Sequence, residues 1–301
     1  MKFVSFRHRD QILAGLMLGD GVLNLAAAAT LAGEAADLTS MLAVIRGGEA
    51  ALAACQRLEA RAGGLGAAVL PASQVHRLAP IPALVRNVFC VGRNYVDHVK
   101  EGAAAMGADA VLPEVPQFFT KATHTLVGPG AEVRLDRAVT QRLDYEVELA
   151  VIIGRGGRDI AAGDAFGHIF GYSIANDVTA RDLQRRHGQW FKGKSLDTTF
   201  PLGPCIVSRE EIEDPRSLEL SLSVNGQERQ RARVEQMIFD IPTLIASLSS
   251  GLTLEPGDVI ATGTPSGVGF AMTPPHYLHD GDEMVARIER IGELRNRVVE
   301  V

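Results

Sequence analysis

Cysteine is scarce and scattered in this chain. Among 301 residues there are three, Cys55, Cys90 and Cys205, with no CxxC spacing. Neither a disulfide framework nor a thiolate zinc site is therefore expected, and a reducing cytosol is the natural compartment. A basic surplus is also missing. The formal net charge is -6 and the isoelectric point is near 5.8, which argues against a nucleic-acid or acidic-membrane partner. No apolar run approaches membrane-spanning length, and the charged opening Met1 to Asp10 has no signal-peptide core, so a cytoplasmic protein is expected. Internal repeats are absent, and alanine bias is the sole compositional skew. What remains is a chain 46% hydrophobic, long enough for one large core or two smaller ones.

Punctuation divides the chain. Residues 1–80 read as a small N-terminal domain with its connector. They comprise a hairpin from Leu16 to Leu25 turning at Asp20-Gly21, a helical pattern through Leu38, Met41, Leu42 and Ile45 that stops at Gly47-Gly48, and a second carrying Leu52, Cys55 and Leu58. Pro71, Pro80 and Pro82 mark the handover. Residues 81–301 read mostly as short strands between glycine and proline turns: Tyr145 to Ile153, Leu218 to Val224 with a turn at Asn225-Gly226, Val259 to Thr262, and two strands flanking Gly292. One clear helix spans Phe239 to Leu248, with Asp240 as cap and Pro242 in its first turn. The fold class is α+β, mostly β.

The chemistry concentrates in five segments. On a strand, Glu146 and Glu148 point to one face, and two like charges held that close need a metal or a shared proton if buried. A solvated strand face is the alternative, but the run is apolar on both faces beyond Glu148, which suggests cover on both sides. Asp177 could complete an all-oxygen ligand set favouring Mg²⁺, Mn²⁺ or Ca²⁺ over zinc, or could cap a helix starting at Val178. Asp182 would then pair with Arg181 or act as a cap. If Tyr95 to Glu101 is helical, His98 and Glu101 share a face, so the carboxylate can orient the imidazole as a general base; a surface ion pair is the alternative. Lys194 lies in Gly188 to Ser195, which fits GxxxxGKS formally; the missing strand-then-helix context and Pro201 argue against a phosphate loop. The glycines of Gly263 to Gly269 could turn backbone N–H groups toward a carboxylate.

Taken in order, Asn94 to Glu101, Phe119-Thr120-Lys121 with Gly128-Pro129, the YEVEL strand, Asn176 to Gln184, KSLDTTFPLGP and Gly257 to Gly269 resemble the fumarylacetoacetate hydrolase family over nearly the whole of the second domain. The resemblance implies a mixed β-roll with a smaller N-terminal α/β domain and a homodimer. It also implies a divalent cation, Mg²⁺ or Mn²⁺, on Glu146, Glu148 and Asp177. His98 and Glu101 would sit on a lid that orders around substrate, Lys194 and Lys121 would face substrate oxygens, Thr264 would bind a carboxylate, and Arg93, Tyr95 and Gln184 would line the pocket.

The substrate implied is a small 2-oxo or dicarboxylic acid. The first expectation is hydrolytic carbon-carbon cleavage of an acylpyruvate by way of an enolate, with His98 activating water. Isomerisation or decarboxylation of a hydroxymuconate-type diacid or oxaloacetate comes next, and a non-catalytic metabolite-binding protein last. Departures from the family pattern at Ala122, His124 and Thr199-Phe200 bear on the pocket's shape rather than its metal ligands.

Overall fold

The strand Val147–Ile153 is buried along its whole length because its alternating side chains enter two different cores. Val147, Leu149, Val151 and Ile153 pack into one, while Ala150 and Ile152 pack into the other. In the computed structural model, which describes every residue except Asp20, this strand lies inside a twelve-stranded sheet. It pairs antiparallel with Ile169–Asn176 on one side and Val259–Ala261 on the other. Beyond Ile169–Asn176 follow Phe200–Ser208, Lys2–His8, Gln11–Leu18, Gly21–Asn24 and Val69–Pro71. Beyond Val259–Ala261 follow Val88–Gly92, which is parallel to it, and Gln117–Lys121. The N-terminal strands therefore join the central sheet through Lys2–His8.

A second sheet of five strands, Gln227–Arg233, Glu219–Val224, Glu283–Ile288, Gly292–Glu300 and Glu132–Leu135, closes the first core with Leu220, Leu222, Met284, Ile288 and Val298. The N-terminal helices Leu25–Ala32, Met41–Arg46 and Gly48–Ala60 cover the opposite face of the large sheet with Leu25, Met41, Ile45 and Leu58. No helix among the described residues is long and apolar enough to cross a membrane.

Local signals account for most boundaries. Ser40 Oγ accepts the Ala43 N–H at 3.2 Å, and Asp240 Oδ1 accepts the Thr243 N–H at 2.9 Å to start Ile241–Ser249. Asn225 and Gly226 adopt φ of 51° and 77°, the left-handed pair of a type I′ hairpin. Other features depart from the expectation. The Asp20 half of the first anticipated turn lies outside the described residues. Helix Leu25–Ala32 has no polar stripe to announce it; Asn24 caps it at 3.2 Å and the left-handed Gly33 ends it. Besides Ile241–Ser249, the second part of the chain holds helices at Val96–Ala105, Arg181–Arg186 and Phe191–Lys194.

Candidate active site

Three carboxylates meet where the central strand begins. Glu148 shares the face of Ala150 and Ile152. Glu146 lies one residue before the ladder, not within it, since the first paired residues are Val147 and Asn176. Backbone bonds fix it there: its N–H donates to Asn176 Oδ1 at 2.9 Å and its carbonyl accepts the Asp177 N–H at 2.8 Å. The same crossing brings Asp177 alongside. Oxygens of Glu146, Glu148 and Asp177 lie within 4.8 Å of one another, and all three residues are buried. Helix Arg181–Arg186 starts after Ala180, so Asp177 is not its cap.

Cations surround the cluster. Lys194 Nζ donates to Glu146 Oε2 and Asp177 Oδ2, both at 2.7 Å. Arg181 reaches Glu146 Oε1 through Nη1 at 2.6 Å and donates from Nε to Asp144 Oδ2 at 2.8 Å. Lys121 Nζ forms an ion pair with Asp177 Oδ1 at 2.8 Å and donates to the Val178 carbonyl at 3.0 Å. Four buried carboxylates, counting Asp144, thus face three buried cations.

The electrostatics follow from that imbalance. Burial alone would raise the Glu146 carboxyl, but Lys194, Arg181 and His98 outweigh it and bring the pKa down to about 2. For Glu148 the help from Lys194 is too weak. Burial first, then Asp177 and Glu146, push its carboxyl well above the usual carboxylate range despite a 2.8 Å bond from the Gly263 N–H. Burial would depress the Lys194 ammonium, yet Asp177 and Glu146 hold it above its ordinary value. For Lys121, equally buried but with Asp177 as its one carboxylate partner and Lys194 opposing it, burial prevails and its pKa is lowered.

These residues fit a hard divalent cation. The donors are all oxygen, they converge within 4.8 Å of one another out of solvent, and the repulsion from Asp177 and Glu146 that, after burial, raises the Glu148 carboxyl is what a cation would relieve. A divalent ion with Glu148 ionised would leave the cluster one positive charge in excess, suited to an anionic ligand.

A helix closes the site. On Val96–Ala105, His98 Nδ1 lies 2.8 Å from Glu101 Oε1, and Glu101 Oε2 accepts the Gly267 N–H at 2.8 Å. The other imidazole nitrogen, Nε2, is left for the cavity that His98 lines together with Glu146, Glu148 and Lys194. This cavity has a volume of about 450 Å³. The expected lid is thus a docked helix here.

The remaining anticipated residues divide. Arg93 and Gln184 line the cavity; Arg93 holds a left-handed φ of 57° and its guanidinium bonds the Val111 carbonyl. Thr264 also lines it, but its hydroxyl already donates to the Val147 carbonyl at 3.0 Å and accepts from Gln230 Nε2 at 2.8 Å. Two do not reach it. Lys121 sits behind Asp177, supporting that carboxylate instead of facing a ligand, and Tyr95 borders a separate hollow of about 250 Å³ with its buried hydroxyl unpartnered.

Other residues were not anticipated. Asp182 was expected to pair with Arg181 or to act as a cap; it instead accepts from Thr140 Oγ1 at 2.6 Å and the Gln141 N–H at 3.0 Å. Arg181 turns into the cavity wall, where its Nη2 has no partner. Asp144 anchors it and also accepts the N–H groups of Gly269 at 2.8 Å and Phe270 at 3.1 Å. The sequence signal was the spacing of Arg181 and Gln184, which puts both on one helical face; their side chains meet at 3.2 Å. The GxxxxGKS match has no phosphate-loop geometry. Gly193 is small because a Cβ there would meet the Gln184 backbone nitrogen at 2.4 Å.

Comparison with known proteins bears on this geometry. A profile described as "Fumarylacetoacetate (FAA) hydrolase C-terminal" matches residues 87–299. Oxaloacetate tautomerase YisK of Bacillus subtilis strain 168 is 50% identical over 234 residues, 78% of this chain and 76% of that protein. A fumarylacetoacetate hydrolase (EaFAH) from psychrophilic Exiguobacterium antarcticum superimposes with a TM-score of 0.81 at 40% identity, covering 100% of both chains. Maleylpyruvate hydrolase from Sphingobium sp. SYK-6, solved with manganese(II) and pyruvate, gives a TM-score of 0.78 at 30% identity over 100% of this chain and 99% of that one.

Proposed function

The chain belongs to the fumarylacetoacetate hydrolase family, and from that premise we propose that it is a divalent-metal-dependent enzyme that interconverts the keto and enol forms of a small 2-oxo diacid of the oxaloacetate kind. The observation that carries this reading is that His98, held by Glu101, lines one cavity with Glu146 and Glu148, whose buried oxygens converge with those of Asp177. The 50% identity to an oxaloacetate tautomerase supports this choice of reaction and moves it ahead of the hydrolysis expected first from sequence.

Glu146, Glu148 and Asp177 would hold the cation, Mg²⁺ or Mn²⁺. When bound it would supply Lewis-acid polarisation, making a C–H next to a 2-oxo group easier to ionise. The chain's own groups do the rest. Glu101 fixes the imidazole through Nδ1, so Nε2 takes the proton from the carbon next to the oxo group and returns a proton to the oxo oxygen; the reverse path runs through the same nitrogen. Lys194, held cationic by Asp177 and Glu146, offsets negative charge developing on the substrate oxygens.

A second reading is hydrolysis of an acylpyruvate, with Nε2 taking its proton from water. It is favoured by a cavity of about 450 Å³, roomier than oxaloacetate needs, and by the likeness to a maleylpyruvate hydrolase.

The test follows enol absorbance of oxaloacetate, and separately loss of acylpyruvates, with Mn²⁺ or Mg²⁺ present. Cation-dependent tautomerisation that falls roughly 100-fold or more in His98→Ala is expected. Faster turnover of acylpyruvates than of oxaloacetate would give the second reading priority, and an unchanged His98→Ala rate would remove the assigned base.

A further inference from the structure

The catalytic pair is held from behind by a turn. Glu101 spends one carboxylate oxygen on His98 Nδ1 and the other on the Gly267 N–H, both at 2.8 Å. Residue 267 is gripped a second time, because the Tyr145 hydroxyl donates to its carbonyl at 3.1 Å. The turn has little freedom to choose another arrangement. Gly267 has a φ of 105°, and a Cβ there would meet the Arg229 carbonyl oxygen at 1.9 Å. Tyr145 itself is fully buried, lies outside the lining of the cavity, and directly precedes the metal-ligand candidate Glu146.

We infer that Tyr145 is a positioning residue for the His98 and Glu101 pair, acting through the Gly267 backbone and without touching substrate. Its ring could be core filling alone, as most fully buried tyrosine rings are. The hydroxyl separates the two roles, since Tyr145→Phe keeps the ring and removes just the bond to Gly267. Without that bond the turn gains orientational freedom, Glu101 Oε2 loses a fixed donor, and the imidazole samples more orientations. A small error in the angle of a general base lowers the rate while leaving substrate affinity alone. The neighbouring Asp144 makes a comparable grip on Gly269 and Phe270, so two consecutive residues tie the turn to the start of the metal-bearing strand.

The kinetic consequence rests on the reading proposed above; the structural consequence does not. Amide hydrogen exchange of the whole chain, read on peptides covering 96–105 and 263–269, is expected to speed up in both segments in Tyr145→Phe and in Glu101→Ala. Unchanged exchange in 96–105 for Tyr145→Phe would overturn the inference. In the oxo-acid assay, Tyr145→Phe should lower kcat roughly three- to tenfold, the scale of one hydrogen bond, with KM within about twofold. Added to His98→Ala, it should lower the residual rate no further. An equal loss in both backgrounds would mean that Tyr145 acts elsewhere and would refute the assignment. If the wild-type chain turned over no oxo acid, the functional reading would fall and the exchange result would still decide the role of Tyr145.

Discussion

Replacing Glu148 by glutamine should stabilise the metal-free protein as pH rises and shrink the stabilisation that a cation gives. In the metal-free protein Glu148 is buried beside Asp177 and Glu146, and its pKa is raised well above the carboxylate range. For an acid whose folded pKa exceeds its unfolded one, stability is greatest below the unfolded value. It declines by about 1.4 kcal/mol per pH unit as pH rises toward the folded value. Glutamine does not ionise and still offers an oxygen to the Gly263 N–H, now at 2.8 Å from Glu148 Oε2. Metal-free Glu148→Gln should therefore match the wild type near pH 4 and become the more stable protein as pH rises.

With cation the wild type gains more than the variant does. A ligand at about 100 times its Kd stabilises the folded state by about 2.7 kcal/mol, which for a chain of this size raises Tm by roughly 4 °C. Losing one charged ligand should weaken affinity by roughly 100-fold, on the scale by which metal-site substitutions act, and leave about 0.4 kcal/mol at the same cation concentration. The assay is thermal unfolding of both proteins between pH 4 and pH 8, with and without Mn²⁺. A metal-free Glu148→Gln less stable than the wild type at pH 8, together with a full Mn²⁺-induced rise in Tm, would refute the reasoning.

Other perturbations test other parts of the site. Arg181→Met leaves Asp144 and Glu146 without their guanidinium and should cost about 3–5 kcal/mol in urea unfolding, because buried carboxylates are left uncompensated; a loss under 1 kcal/mol would contradict the pairing. The three thiols should resist alkylation in the native state at pH 8 and react together after denaturation, since burial pushes Cys55 up to about 12 and Cys205 up to about 11 and raises Cys90 well above its ordinary value. Gly269→Ala should destabilise the protein by more than about 2 kcal/mol, as its Cβ would meet the His276 carbonyl at 2.0 Å and Asp144 Oδ1 at 2.7 Å; a normal urea midpoint would show that the turn can yield.

Much of the centre was legible because strand alternation is a strong constraint. The apolar run after Glu148 on both faces signalled a strand covered twice, and the two cores that receive Val151 and Ile152 are that cover. The i,i+3 spacing of His98 and Glu101 likewise anticipated their contact on a helix. What stayed hidden depends on tertiary routing. The local spacing puts Arg181 on the face of Gln184, but its reach to Glu146 is fixed by Asp144, 37 residues earlier in the chain. Lys121 and Lys194 look alike in sequence, yet Lys194 lines the cavity and Lys121 stands behind Asp177. Helix Leu25–Ala32 went unread because five of its eight residues are alanine, which gives a helix former no stripe to show.

The most direct test is anomalous diffraction from crystals soaked with Mn²⁺ and oxalate, a stable mimic of the carboxylate and oxo oxygens of a 2-oxo acid. A single strong manganese peak bounded by Glu146, Glu148 and Asp177, with oxalate between it and His98, is the predicted result. Manganese bound elsewhere, or oxalate outside the cavity shared by His98 and Lys194, would contradict the account.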